Sequence, residues 1–189
     1  TRVVSLFAVA VAVLIAWIGY ESRAPEPLVD MRMMRDRAGR TTNLTALARV
    51  TEADLGADFN LNALAAVKAV QAALRALKAA QGTSSILLFS TIAVAQGFAL
   101  HASVSMAKGA IEGLTRALSA ELAPKIRVNA IAPSLTDSGI AKPIMANEAV
   151  AKAVAALHAL PRTGVGEDMA GIAQTLLTDA GSWITGQVI

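Results

Sequence analysis

The chain has 189 residues, 54% of them hydrophobic, which suffices to bury one sizeable core. It contains no cysteine, which excludes disulfides, thiol nucleophiles and thiolate metal sites. Its two histidines are too few for a histidine-rich metal site. The net charge is +3, but the basic residues are scattered and aromatic residues make up only 4%. Nucleic-acid binders usually cluster basic residues and interleave aromatics, so this composition argues against a nucleic-acid partner.

The N-terminal stretch, residues 3–20, carries no charge. Its length reaches the lower edge of the roughly 17–25 residues that a membrane-spanning helix needs. Five arginines follow between residues 23 and 40. Because basic residues beside a membrane helix stay on the cytoplasmic side, a membrane anchor at 3–20 would place the rest of the chain in the cytoplasm. Two other interpretations are open: a buried strand and helix of an α/β domain, or a signal sequence.

The remainder of the chain divides into a linker and one folded portion. The boundaries predicted are a hydrophobic segment at 1–23, a linker with a remnant strand at 24–50, and an α/β portion at 51–189. Apolar periodicity predicts helices and strands in alternation, and the short apolar run at 86–89 is typical of a strand covered on both faces. Alternation of this kind indicates an α/β fold with a parallel sheet. The predicted elements are helices at 51–80, 103–122, 148–160 and 167–179, and strands at 86–89, 127–131 and 183–189.

Three polar residues in this portion have a recognisable spacing. Thr91 follows the predicted strand at 86–89, Lys108 lies on the next helix, and Asn62 lies on the helix before the strand. Together with the surrounding sequence they resemble the short-chain dehydrogenase/reductase family, in which a Ser, a Tyr and a Lys transfer a proton beside a nicotinamide. The resemblance implies that Thr91 replaces the Ser, that Lys108 holds ribose hydroxyls and lowers the pKa of a proton donor, and that Asn62 anchors a relay water.

The same resemblance extends towards the C-terminus. It implies a cofactor-binding set made of Lys108, Pro133, Ser134, Thr136 and Ser138, where Pro133 and Ser134 match the family's Pro-Gly turn beside the nicotinamide. It further implies a Rossmann-type doubly wound sheet, incomplete at its N-terminus, and NAD or NADP as cofactor. Family members commonly pair through the helix at 103–122, so a homo-oligomer is expected.

Each of these residues also has an ordinary structural interpretation. Lys108 lies four positions before Glu112 and could form a surface ion pair with it. Thr91 could cap the end of a strand, and Asn62 could satisfy backbone groups where the sheet opens. Ser138 lies in a stretch that would make an acceptable turn without any ligand.

Two departures from the family pattern bear on activity. Val104 stands at the Tyr position, and an alkyl group cannot donate a proton. His101, seven positions before Lys108, is a candidate replacement because imidazole titrates near neutrality and the spacing is similar to that of the enoyl reductases. The alternative is that His101 caps the helix that begins nearby. The Gly-rich phosphate turn of the family is also absent, since Gly19 and Gly39 are the only glycines before Gly56.

These observations predict an NAD(P)-dependent oxidoreductase of the short-chain type that acts on a small molecule and resides in the cytoplasm, anchored to a membrane if residues 3–20 span one. We expect this chain to be a fragment of a family member and to have an atypical active site. The alternative is a non-catalytic, membrane-tethered binding module or a degenerate gene fragment. No metal is expected.

Overall fold

The computed structural model describes residues 47–189, which belong to one compact unit. The stretch at 3–20 and most of the predicted linker lie outside the described residues. Within residues 47–189, no helix combines the length and apolarity needed to cross a bilayer.

Helices and strands alternate along the described chain. Short 3-10 helices lie at Leu47–Arg49 and Asp179–Gly181. Between them the elements are α1 (Glu52–Phe59), a π-helical turn (Asn60–Leu64), α2 (Ala65–Ala79), β1 (Ser84–Phe89), α3 (Ala93–Gln96), α4 (Ala102–Leu122), β2 (Ile126–Ile131), α5 (Lys142–Met145), α6 (Glu148–Ala156) and α7 (Gly166–Leu177).

The predicted start of the first helix is confirmed by its cap. The hydroxyl of Thr51 accepts from the amide of Asp54 at 3.2 Å, and the Asp54 carboxylate accepts from the Thr51 amide at 3.1 Å. This reciprocal pair satisfies two amides that a helix start would otherwise leave unbonded. The sequence predicted one continuous helix to residue 80, whereas the structure interrupts it with the π-helical turn. Turns of this kind frequently occur at functional sites.

The sheet is parallel, as predicted. β1 pairs with β2 in the register Ser84 to Ile126 through Phe89 to Ile131. The last residues of the chain run along the other edge of β2, where the Ala130 amide donates to the Gln187 carbonyl at 2.8 Å and the Ile189 amide to the Ala130 carbonyl at 3.0 Å. β2 is therefore central and buried at every residue.

Helices contact both faces of β1, as predicted for the strand at 86–89, but they leave it incompletely buried. β1 is half-buried along most of its length, and Phe89 at its end is 49% exposed. The reason is its position, because among residues 47–189 β1 has a neighbouring strand on one edge only.

Helices cover both faces of β2, and its alternating side chains show how. Ile126 and Val128 point to one face and pack with Leu122 of α4 and with leucines of α2. Arg127 and Asn129 point to the other face. There the Arg127 guanidinium donates to the Leu176 carbonyl at 2.8 Å and the Asn129 amide to the Ile184 carbonyl at 2.9 Å. The result is a helix–sheet–helix sandwich, which confirms the α/β class.

The last three predicted elements are shorter than expected. α6 ends at Ala156 rather than residue 160, and the chain turns from Leu157 onward, where His158 contacts Ser134. α7 ends at Leu177 and passes into the 3-10 turn Asp179–Gly181. The predicted strand at 183–189 forms only an isolated bridge at Val188, with strand-like hydrogen bonds on either side of it.

Candidate functional site

The candidate site lies where β1 and β2 end. Both strands run in the same direction, so the residues after their carboxyl ends meet at the same end of the sheet, its carboxyl edge. The Ser90 amide donates to the Ile131 carbonyl at 2.7 Å and the Ile92 amide to the Pro133 carbonyl at 3.2 Å, so pairing continues past the strands. In open α/β sheets this edge is where ligands bind.

Thr91 lies in the middle of this edge. Its hydroxyl oxygen accepts from the Ala93 amide at 3.3 Å and lies 3.5 Å from the Pro133 carbonyl oxygen. The hydroxyl thus contacts backbone groups just beyond the end of β1, in line with the alternative of a strand-end cap, and it also lies against the turn that follows β2. Its role towards a substrate carbonyl remains a prediction.

Lys108 reaches the same edge from α4. Its ammonium donates to the carbonyl of Phe89, the last residue of β1, at 2.9 Å. The alternative of a surface pair with Glu112 is wrong, because the Glu112 carboxylate contacts Ser90 and Arg116 instead. Burial removes water from the Lys108 ammonium and lowers its pKa below the ordinary value of 10.5.

Ser90 and Glu112 form a buried link that sequence reasoning missed. The Ser90 hydroxyl donates to the Glu112 carboxylate at 2.8 Å, and both residues are buried. Arg116 contacts the other carboxylate oxygen at 3.3 Å. Because Ser90 precedes Thr91 and Glu112 lies one helical turn after Lys108, this link fixes the strand end against the helix that carries the lysine. The only sequence signal was that a serine directly precedes Thr91.

Asn62 lies in the π-helical turn. Its side-chain amide donates to the Asp58 backbone carbonyl at 2.8 Å, in line with the backbone-satisfying alternative. The Asp58 carboxylate accepts from the hydroxyl of Ser103 at 2.5 Å, which ties α1 to the first turn of α4. Val104 follows Ser103 and is half-buried. The π-helical turn is therefore linked to the position where the family has its Tyr.

His101 occupies the position just before α4 but makes no side-chain cap. Its Nδ1 lies 2.7 Å from the Ala99 carbonyl oxygen, and its ring lies against that of Phe98, with centroids 5.6 Å apart. A carbonyl oxygen only accepts, so Nδ1 carries the hydrogen and Nε2 is the basic nitrogen of the neutral ring. Nε2 could donate a proton only from the imidazolium form, and that role stays a prediction.

The residues predicted for the cofactor follow β2 in a structured turn. The hydroxyl of Thr136 donates to the Ser134 carbonyl at 3.0 Å, and the Ser134 hydroxyl lies 2.7 Å from Nε2 of His158. Ser138 is exposed, and its carbonyl accepts from the amides of Ala141 and Lys142, which fits the turn alternative. Pro133 thus lies against Thr91, Ser134 and Thr136 follow it in the same turn, and Ser138 begins the next turn. Among residues 47–189, no three Asp, Glu or His side chains are grouped as metal ligands.

The lowered pKa of Lys108 makes a measurable prediction about stability. Between its lowered value in the folded chain and 10.5 in the unfolded chain, the unfolded state binds more protons, so this group's contribution to stability increases with pH. We compare the free energy of unfolding of Lys108→Met with that of the unmodified chain. We expect the difference to favour the variant most at neutral pH and to lose this advantage near pH 10.5. Denaturant unfolding across this range measures it, with Lys78→Met changing an exposed lysine as control. A difference that does not vary with pH contradicts the assignment.

Three comparisons connect this geometry with known proteins. A sequence-family model described as enoyl-(acyl carrier protein) reductase matches residues 31–189. The chain is 32% identical to L-2,3-butanediol dehydrogenase of Corynebacterium glutamicum, over 88% of this chain and 68% of the relative. It is 28% identical, with a TM-score of 0.73, to the crystal structure of a short-chain dehydrogenase/reductase (glucose/ribitol dehydrogenase) from Brucella melitensis, covering 79% of this chain and 59% of that one.

A second similar solved structure contains a nucleotide. ElxO with NADP bound is 25% identical, with a TM-score of 0.70, over 79% of this chain. The chain spans 60% of ElxO, so in both solved structures about two fifths of the related protein has no counterpart here.

Proposed function

The chain belongs to the short-chain dehydrogenase/reductase family, and on that premise we propose that it supports hydride transfer between NAD or NADP and the carbonyl or hydroxyl carbon of a small molecule. Its fold is of the Rossmann type, like that of its structural relatives. The observation that carries the proposal is the position of Lys108, whose ammonium donates to the Phe89 carbonyl at the end of β1. That carbonyl lies two residues before Thr91, whose hydroxyl is 3.5 Å from the Pro133 carbonyl oxygen in the turn that follows β2.

The nicotinamide half of the cofactor fits the described residues. Nζ of Lys108 has donor capacity beyond its one bond to Phe89, and ribose hydroxyls are suitable acceptors. Thr91 would direct its hydroxyl to the substrate oxygen, and Pro133 would flank the ring. When bound, the nicotinamide supplies or accepts the hydride. The pyrophosphate half has no matching Gly-rich turn in the sequence.

The chain's own residues would handle the proton. Val104 has no proton to give, so the donor is His101 in its imidazolium form or a group of the substrate itself. Lys108 would favour a negative charge on the substrate oxygen by electrostatics. Thr91 would hydrogen-bond that oxygen without changing its own protonation state.

The substrate is a small molecule, and the butanediol dehydrogenase relative makes vicinal diols and their ketones the first class to assay. A homo-oligomer is proposed through α4, which carries Met106 at 62% exposure, and through Trp183 at 98% exposure. We propose a cytoplasmic location, with which the absence of cysteine agrees.

Turnover of the purified chain tests the proposal. We expect consumption of NADH or NADPH that depends on a small ketone, or the reverse reaction with a diol, at millimolar nucleotide. Nucleotide absorbance measures it, with the unfolded chain as blank. A folded chain that turns over neither nucleotide with any carbonyl or diol of the panel contradicts the proposal and favours the non-catalytic binding module. That second candidate is supported by Val104 and by the missing phosphate turn.

A further inference from the structure

Ser134 and His158 form a polar pair that the proposed hydride transfer does not use. Ser134 lies in the turn after β2, and His158 lies just beyond the end of α6. The Ser134 hydroxyl oxygen is 2.7 Å from Nε2 of His158, and the other ring nitrogen, Nδ1, is 2.9 Å from the Val154 carbonyl oxygen. Both side chains are half-buried, so neither is sealed from a small ligand.

The hydrogen bonds determine which atom carries which proton. The Val154 carbonyl can only accept, so Nδ1 of His158 is the donor and carries the hydrogen. In the neutral ring Nε2 is then the acceptor, and the Ser134 hydroxyl donates to it. The tautomer is thus the one in which imidazole can remove the serine proton.

This arrangement has the three parts of an activated nucleophile. A serine hydroxyl is bonded to a base, and the base is oriented by a third group, here a backbone carbonyl instead of a carboxylate. The first distance falls within the range of about 2.6–3.2 Å expected between a nucleophile and its general base. We propose that Ser134 is a nucleophile activated by His158 and that the pair takes acyl groups from small, activated carboxylic esters.

The surrounding turn holds the serine in place. Thr136 donates its hydroxyl to the Ser134 carbonyl at 3.0 Å, and the Gly164 amide donates to the Leu135 carbonyl at 2.9 Å. The Asp137 amide in turn donates to the Gly164 carbonyl at 2.8 Å. The backbone on the C-terminal side of Ser134 is therefore fixed, which keeps its hydroxyl aligned with the base.

The reaction balances without any cofactor. The Ser134 oxygen attacks the ester carbonyl carbon as His158 Nε2 takes the hydroxyl proton. The bond from that carbon to the alcohol oxygen then breaks, and Nε2 returns the proton to the departing alcohol. Water attacks the acyl-serine, Nε2 takes a proton from this water, and Ser134 regains its hydrogen as the carboxylic acid leaves. Nothing is oxidised or reduced.

Acylation by 4-nitrophenyl acetate, in the absence of nucleotide, tests the proposal. We expect a burst of nitrophenol and an acetyl group that peptide mapping locates on Ser134. Ser134→Ala should abolish the burst, and Ser134→Cys should restore acylation. His158→Asn keeps an amide able to hydrogen-bond Ser134 but lacks a base, so we expect its acylation rate to fall by about 10²-fold or more. Ser182→Ala, at an exposed serine elsewhere, should leave the rate unchanged.

Mapping on the unmodified chain keeps the test decisive if a variant does not fold. Acetyl groups found only on lysines, or on serines other than Ser134, overturn the proposal. A His158→Asn variant that folds and acylates at the unmodified rate also overturns it, because the histidine then serves only to dock α6. The assay contains no NAD(P), so its result is independent of the hydride-transfer proposal.

Discussion

Replacing Lys108 with Ala should lower kcat/KM for NAD(P)-dependent turnover by about 10²-fold or more, the usual scale for losing a positioned group in proton transfer. The physical reason is the position of the ammonium. It is held 2.9 Å from the Phe89 carbonyl at the strand end, with Thr91 two residues beyond that carbonyl. Val104 cannot substitute for it, and Thr91 can only hydrogen-bond. Steady-state kinetics at saturating and limiting nucleotide measure the effect on kcat and KM separately.

Two further variants identify what the lysine does. Lys78→Ala removes an exposed lysine from α2 and should leave the kinetics unchanged. His101→Phe should lower kcat without changing nucleotide affinity, because Phe keeps an aromatic ring at this position but has no proton to donate. If Lys108→Ala retains nearly normal turnover, the ammonium is only a structural donor to the end of β1.

The 189-residue chain should bind NADH and NADPH with a Kd weaker than about 1 mM, a binding free energy of only about −4 kcal/mol. The nucleotide pyrophosphate is normally held by backbone amides of a Gly-rich turn and by the positive end of the helix that follows. No such turn precedes the α/β portion, and the sequence Gly164-Val165-Gly166 comes only at the start of the late helix α7. Binding would then rest on the nicotinamide half, near Lys108.

Calorimetric titration with each nucleotide measures this affinity. AMP, which lacks the nicotinamide, is the matched ligand and should bind no more tightly. A Kd near 1 µM, equivalent to about −8 kcal/mol, contradicts the expectation. In that event some other part of the chain supplies the pyrophosphate contacts.

The elements of the described fold could be predicted from the sequence because their signals are local. Apolar periodicity located α4, α7 and the end of α2 to within a few residues, and Thr51 with Asp54 indicated the start of α1. The parallel sheet followed from the alternation of strands and helices. Where the structure differs from the prediction, in the incomplete burial of β1 and in the π-helical turn, the cause is not local. Burial of a strand depends also on which strands lie along its edges, and the helix is interrupted beside its contact with Ser103.

The candidate site divides in the same way. Spacing along the chain identified Thr91, Lys108 and Val104, because family positions are counted in residues. It did not determine what each side chain touches. In the sequence, Glu112 is a good ion-pair partner for Lys108 because it lies four positions later. The lysine nevertheless donates to the carbonyl of Phe89, 19 residues earlier.

The sequence by itself determined the α/β class, the order of its elements and the membership of Lys108 and Thr91 in a family pattern. Only the tertiary structure decided that Ser90 contacts Glu112, 22 residues away, and that Ser134 contacts His158, 24 residues away. Periodicity and spacing describe neighbours along one element. Contacts between elements depend on strand register and on how helices pack across the sheet, and these are set by the whole core at once.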